Sequence, residues 1–155
     1  MSVNRPIVFR VCLVPVAVGI CYLFQWNSLR SVTADLNLQL TSMFGIHWIR
    51  LSSDMALFHG QQYRYAIACT MADAWCGAIP LVWSLGSRAW KNLAYLAGLA
   101  VFMFVFNTVR LAVSSLLISN GVSRLIGHDS LSAVAYLIVW LLIQRRAAWN
   151  GGSGI

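Results

Sequence analysis

The chain has 155 residues, of which 59% are hydrophobic and only 10% charged, and its mean hydropathy is +0.71. Soluble domains average about 45–50% apolar and about 25% charged residues, so the composition excludes an ordinary soluble domain and leaves an all-α integral membrane protein. The net charge of +7 comes from 11 Lys and Arg against 4 Asp and no Glu; these cations stand singly at the ends of apolar runs, where they act as topology signals and headgroup contacts, which argues against nucleic acid as a partner.

A single membrane domain over residues 1–149 is expected, with four spans at about 7–26, 66–85, 93–118 and 126–143. The first run, 7–26, is about 20 residues, enough for a hydrocarbon core of about 30 Å. It exceeds a signal-peptide h-region of about 7–15 residues and no small-x-small cleavage site follows, so it reads as a retained span. Arg10 can snorkel to one interface and Trp26 suits the other.

The extracytoplasmic segment, 27–65, opens with Leu29, Val32, Leu36, Leu40, Met43 and Phe44 at three- and four-residue steps. That spacing predicts an amphipathic helix capped at Ser31 or Thr33 and ended by Gly45, lying on the membrane or covering the spans. Beyond His47 the pattern changes to alternation. Ile49 and Leu51 precede a Ser52-Ser53-Asp54 turn, Met55 and Leu57 follow it, and His59-Gly60 offers a second turn before Tyr63, Tyr65 and Ile67. A small β-hairpin leading into the second span is predicted; His47 and His59 read as surface or turn residues.

Pro80 is expected to kink the second span. A basic loop, 86–92, leads to the third span, and a loop over 119–129 leads to the fourth, which is closed by Gln144-Arg145-Arg146. Residues 150–155 read as a flexible tail. With both termini cytoplasmic, the inner side carries Arg5, Arg10, Arg88, Lys91, Arg145 and Arg146, while the outer side carries Arg30, Arg50, Arg64 and Arg124. The bias favours this orientation in an inner, cytoplasmic membrane.

The topology brings distant reactive residues to one depth. Cys69 lies about one turn inside the outer end of span two. Arg110 is about 18 residues up span three, roughly 27 Å from its inner end, with Asn107 three residues earlier on the same face. His128 lies in the outer loop ahead of span four. A thiolate is the attacking form of cysteine and neighbouring cations favour it. Arg110 can stabilise the thiolate and then an oxyanion, while His128 can move the proton between thiol and leaving amine. Asn107 would orient the arginine or donate to the oxyanion. Asp73, at i+4 from Cys69, would be costly as a free carboxylate in the membrane. It is expected to pair with Arg110, the alternative being a capping role.

Three pieces carry a family resemblance: Ala68-Cys69-Thr70 at a span entrance, Asn107-Thr108-Val109-Arg110 late in an apolar helix, and Gly127-His128 before the next helix. From about residue 33 to 140 the chain resembles the exosortase/archaeosortase family of membrane cysteine transpeptidases. The resemblance implies Cys69, Arg110 and His128 as catalytic residues; Thr70, Asp73 and Asn107 are expected to support them. It implies as partner a secreted protein with a C-terminal sorting tail made of a motif, a transmembrane helix and a basic end. Many members have more spans, and a small residue is common where this chain has Met71.

No cofactor or metal is expected: the four cysteines, Cys12, Cys21, Cys69 and Cys76, lie inside apolar runs without CxxC spacing, and Cys69, Cys76 and His128 have no metal-ligand spacing. Cys12 and Cys21 read as small core or lipid-facing residues. Two other classes of function remain open from the residues alone. One is a non-catalytic assembly or transporter subunit; the other is a thiol oxidoreductase using Cys69 and Cys76, although two helical turns would hold their Cα atoms about 10 Å apart.

Overall fold

A computed structural model describes residues 5–58 and 60–152. His59 and residues 153–155 lie outside the described residues. Helix α1 (Arg5–Leu23) is followed by α2 (Asn27–Ser42) and strands β1 (Ile49–Ser52), β2 (Met55–Phe58) and β3 (Gln61–Arg64). A 3-10 turn (Ile67–Thr70) precedes α3 (Ala72–Val82) and α4 (Ala89–Ser119). A π-helical turn (Leu125–Ser130) then runs into α5 (Leu131–Gly152). The chain is therefore mostly helical. The expected hairpin is a three-stranded antiparallel sheet in the order β1-β2-β3, with Ile49 opposite Leu57 and Met55 opposite Arg64. The last helix continues three residues into the expected tail.

Among the described residues two helices are long and apolar enough to cross a membrane, Ala89–Ser119 and Leu125–Arg145. A third exists if α1 and α2, which meet at an 85° bend, count as one broken element. The segment expected as a continuous span over 66–85 is instead broken. Its α-helical part is 11 residues, about 16 Å at 1.5 Å per residue, or half a hydrocarbon core. Pro80 lies inside α3, and the break comes earlier, at Met71, whose left-handed backbone (φ 56°) separates the 3-10 turn from α3. The first helix also stops short of its expected end. The Trp26 indole donates to the Cys21 carbonyl at 2.8 Å, closing the end of α1, and the chain turns into α2 there.

Polarity is distributed inside out. On α4 the buried residues include Asn92, Asn107, Thr108, Arg110, Ser114 and Ser115, while Val101, Phe102, Val105 and Val109 are exposed. Such a helix presents an apolar side outward, suited to lipid, and gathers its polar residues on the side that faces its neighbours, together with Leu96, Leu99 and Met103. Helix α2 does the same. Its buried residues are Arg30, Thr33, Ala34, Asn37 and Thr41, whereas Val32, Met43 and Phe44 of the expected apolar stripe are exposed. Ser31 and Thr33 are interior rather than capping, and Thr33 donates back to the Leu29 carbonyl at 2.8 Å. Gly45 has φ +78°, which ends the helical segment as its position suggested.

The main core lies between α3, α4 and α5, where Met71, Ala78, Val82, Leu96, Met103 and Val139 pack together. The Trp75 indole ties α3 to the Leu96 carbonyl at 2.9 Å. At the α3–α4 connection Asn92 clamps Ser84 through its carbonyl at 2.8 Å and its N–H at 3.2 Å. Helix α1 approaches α3 at Gly77, where an added Cβ would lie 3.1 Å from Val18 Cγ2 and 3.5 Å from Val14 Cγ1. Both valines are stiff at χ1, so a larger residue must separate the helices. Gly77→Leu is expected to destabilise the protein by about 1–3 kcal/mol, read as a lower thermal midpoint in detergent. An unchanged midpoint would show that α1 does not depend on this approach.

Candidate active site

Cys69 is in the 3-10 turn that β3 feeds, with its N–H donating to the Ala66 carbonyl at 2.9 Å. The turn is short because Met71 leaves it with positive φ, a conformation costing an L-residue about 1–2 kcal/mol. Burial of the Met71 side chain in the main core offsets that cost. The turn is fixed from two further directions. Asn107 on α4 donates its side-chain N–H to the Cys69 carbonyl, and Thr70 donates to the Ile67 carbonyl at 2.6 Å while accepting from the Ala72 N–H at 3.3 Å. Asn107 and Thr70 thus hold backbone; Asn107 orients the cysteine's own peptide rather than the arginine.

Cys69 and His128 line the same cavity of about 280 Å³, which is walled by α2, the sheet, α4 and the π-helical turn. His128 belongs to that turn, continuous with α5, and not to a loop. Gly127 beside it is buried against the end of α4. A Cβ there would lie 3.2 Å from Ile118 Cγ1 and 3.4 Å from Leu117 Cβ, so any larger residue would press on the end of α4 and push it back by a few tenths of an ångström. His128 Nδ1 faces Asp129 Oδ1 at 2.8 Å. With Nδ1–H directed to that carboxylate, Nε2 is left to exchange a proton.

Arg110 is buried on α4, 8% exposed, within electrostatic reach of Cys69. It is not among the cavity-lining residues. One guanidinium nitrogen donates to Ser132 Oγ, and Ser132 Oγ donates to the His128 carbonyl at 2.7 Å. Nε and Nη2 are buried without a partner. The expected Asp73–Arg110 pair does not form. The Asp73 carboxylate accepts from the Ala74 N–H at 2.8 Å, the Tyr136 hydroxyl at 3.0 Å and the Tyr22 hydroxyl at 3.1 Å. The reason is local. Asp73 opens α3, so its carboxylate meets the free N–H groups of the first turn, and two tyrosines from α1 and α5 complete its shell. Cys76, proposed as a redox partner of Cys69, packs instead with Cys21 and Ala72 between α1 and α3.

The segment before the cysteine is anchored by charge. Arg30 on α2 donates from Nε to the Tyr65 carbonyl at 2.7 Å and pairs with Asp54 through Nη2. Arg64 reaches the same Asp54 oxygen at 3.1 Å. The Arg64 hydrogen bond, together with those of Ser52 and the charge of Arg30, holds the Asp54 carboxyl below its ordinary pKa despite some desolvation. Tyr65, whose hydroxyl accepts from Asn37 Nδ2 at 2.7 Å, is pushed up to about 12 by burial and stays a neutral phenol. Sequence reasoning missed Ser132 and Tyr136. Both lie on the His128 face at four-residue steps, a signal readable only once the π-helical turn is known to continue α5. No family model matches the chain, nor does any curated protein or solved structure.

Proposed function

We propose that the chain is a membrane cysteine peptidase or transpeptidase of the exosortase/archaeosortase type, acting on a C-terminal sorting tail at the extracytoplasmic face of the inner membrane. The observation that supports this most is one cavity shared by the thiol of Cys69 and the imidazole of His128, backed by a buried guanidinium with two unpartnered nitrogens. In this reading α1 and α3 lie in the membrane with α4 and α5, giving four membrane helices with both termini inside.

The Cys69 thiolate attacks the scissile carbonyl carbon, and the electron pair of the C=O moves onto oxygen, where the buried charge of Arg110 stabilises it. His128 Nε2, having taken the thiol proton, returns it to the leaving amine as the C–N bond breaks. The resulting thioester is opened by an amine, a hydroxyl (of a lipid, for example) or water, and that nucleophile passes its proton to His128. Asn107 and Ser132 hold the Cys69 and His128 backbones in register.

The test is co-expression with a tagged secreted protein that carries a motif, a transmembrane helix and a basic end. Shortening of the tagged protein in cells with the chain, and none in cells without it, is expected. Equal processing in both would sink the proposal. A membrane-impermeant thiol reagent added from outside should also modify Cys69; protection from outside but not inside would reverse the proposed orientation.

A further inference from the structure

Two side chains that line the Cys69 cavity each carry a buried polar atom with no partner. Asn37 on α2 is 2% exposed. Its Nδ2 donates to the Tyr65 hydroxyl at 2.7 Å and to Ser115 Oγ at 3.3 Å, whereas its Oδ1 is buried with no partner. Trp48, between α2 and β1, also lines the cavity, and its indole Nε1 is buried with no partner. Both side chains are held rigidly. The Trp48 ring stacks on Phe58 with centroids 4.6 Å apart and meets Tyr63 edge-on at 5.2 Å; the Asn37 amide is fixed by its two hydrogen bonds. One acceptor and one donor, both desolvated and unpaired, are unfavourable in an empty site and favourable once a ligand supplies their complements.

We infer that Asn37 and Trp48 form a peptide-reading subsite beside Cys69, in which Asn37 Oδ1 accepts a substrate backbone N–H and Trp48 Nε1 donates to a substrate carbonyl. A peptide group carries one donor and one acceptor, matching the two orphaned atoms. The subsite shares its cavity with the thiol that would attack a neighbouring peptide bond, so the inference rests on the peptidase reading for its role. Both contacts are to backbone, so they hold the chain in register without selecting side chains. Their rigidity limits the ordering cost on binding.

The test uses the full chain in detergent and two thiol-alkylating probes. One is an acetylated dialanine chloromethyl ketone; the other is its ester analogue, with oxygen in place of the internal N–H. Alkylation of Cys69 is followed by mass spectrometry, and every rate is expressed relative to that of methyl methanethiosulfonate with the same variant. Wild type should react about three- to tenfold faster with the amide probe than with the ester, the value of one hydrogen bond. Asn37→Ala should bring that ratio to about one. Trp48→Phe, which keeps the ring stack, should slow both probes together by a similar factor while preserving the ratio. Equal rates for the two probes with wild type, or a Trp48→Phe chain that reacts like wild type, would overturn the subsite in favour of buried water on these atoms. A Cys69 that does not react even with methyl methanethiosulfonate would overturn it too, because the cavity would then be closed. Tail processing separates the two proposals. Cys69-dependent processing with equal probe rates leaves the peptidase and removes the subsite, and a retained probe ratio without processing leaves a peptide-binding site that is not proteolytic.

Discussion

Processing of a co-expressed sorting-tail protein is expected to stop when Cys69 is replaced by alanine, and to fall about 10²–10³-fold when Arg110 is replaced by methionine. The Arg110 expectation follows from its surroundings. Its charge is buried on a helix whose other buried side chains are all uncharged, and no carboxylate lies within ion-pair distance among the described residues. Burying a cation in this way is unfavourable unless a negative charge arrives. A thiolate and a tetrahedral oxyanion are the two anions the proposed reaction generates nearby. Methionine keeps the apolar stem and removes only the charge and the fork of donors. Arg110→Lys should recover little, since a point charge cannot both hold Ser132 and present two further N–H groups. His128→Ala should cost about 10²–10⁴-fold, as for loss of a general acid and base. Thermal midpoints measured alongside separate lost chemistry from lost fold. Wild-type processing by Cys69→Ala would end the peptidase reading, and wild-type processing by Arg110→Met would remove the arginine from it.

Arg30→Met is expected to destabilise the fold by about 2–4 kcal/mol, seen as a lower thermal midpoint. Arg30 is 9% exposed, and its loss strands the Tyr65 carbonyl and removes one partner of Asp54. The figure lies toward the lower part of the range for broken buried pairs because Asp54 retains Arg64 and Ser52. Arg64→Ala should change stability by less than about 1 kcal/mol, since its side chain is 70% exposed and the pair is screened by water. The same carboxylate sets a pH response. Its folded pKa is depressed, so the stability it contributes is present above its unfolded value near about 4 and is lost as pH falls through the lower folded value. Arg64→Ala, which removes the largest cause of the depression, should flatten that acid limb of the stability profile more than Arg30→Met does. A midpoint for Arg30→Met equal to wild type would mean that the α2-to-sheet brace contributes nothing to the fold.

The long elements were legible because lipid imposes one strong rule. Apolar runs at 93–118 and 126–143 correspond to α4 and α5, and the turn residues Ser52-Asp54 and Gly60 bound short strands whose alternation was readable. Gly45 was readable as a stop because its φ of +78° suits glycine. The amphipathic helix was readable as a helix, yet its orientation was not. Periodicity shows two faces, and only neighbours decide which one is buried. Here Arg30 and Asn37 find Asp54, Tyr65 and Ser115 inside, so the polar face turns inward and the apolar face outward.

Sequence alone picked out the two long helices apolar enough to cross a membrane and singled out three candidate site residues far apart in the chain, because hydropathy and residue chemistry are local properties. Tertiary structure decided the rest. Met71 breaks the expected second span, a left-handed residue that core burial makes tolerable. Asp73 goes to two tyrosines and leaves Arg110 without a counter-ion among the described residues, because α1 and α5 bring hydroxyls to that carboxylate. Cys69 and His128 come to one cavity because α4 stands between their two turns, receiving one through Asn107 and the other through Arg110 and Ser132. Contacts between residues tens of positions apart settle such choices, and no local pattern encodes them.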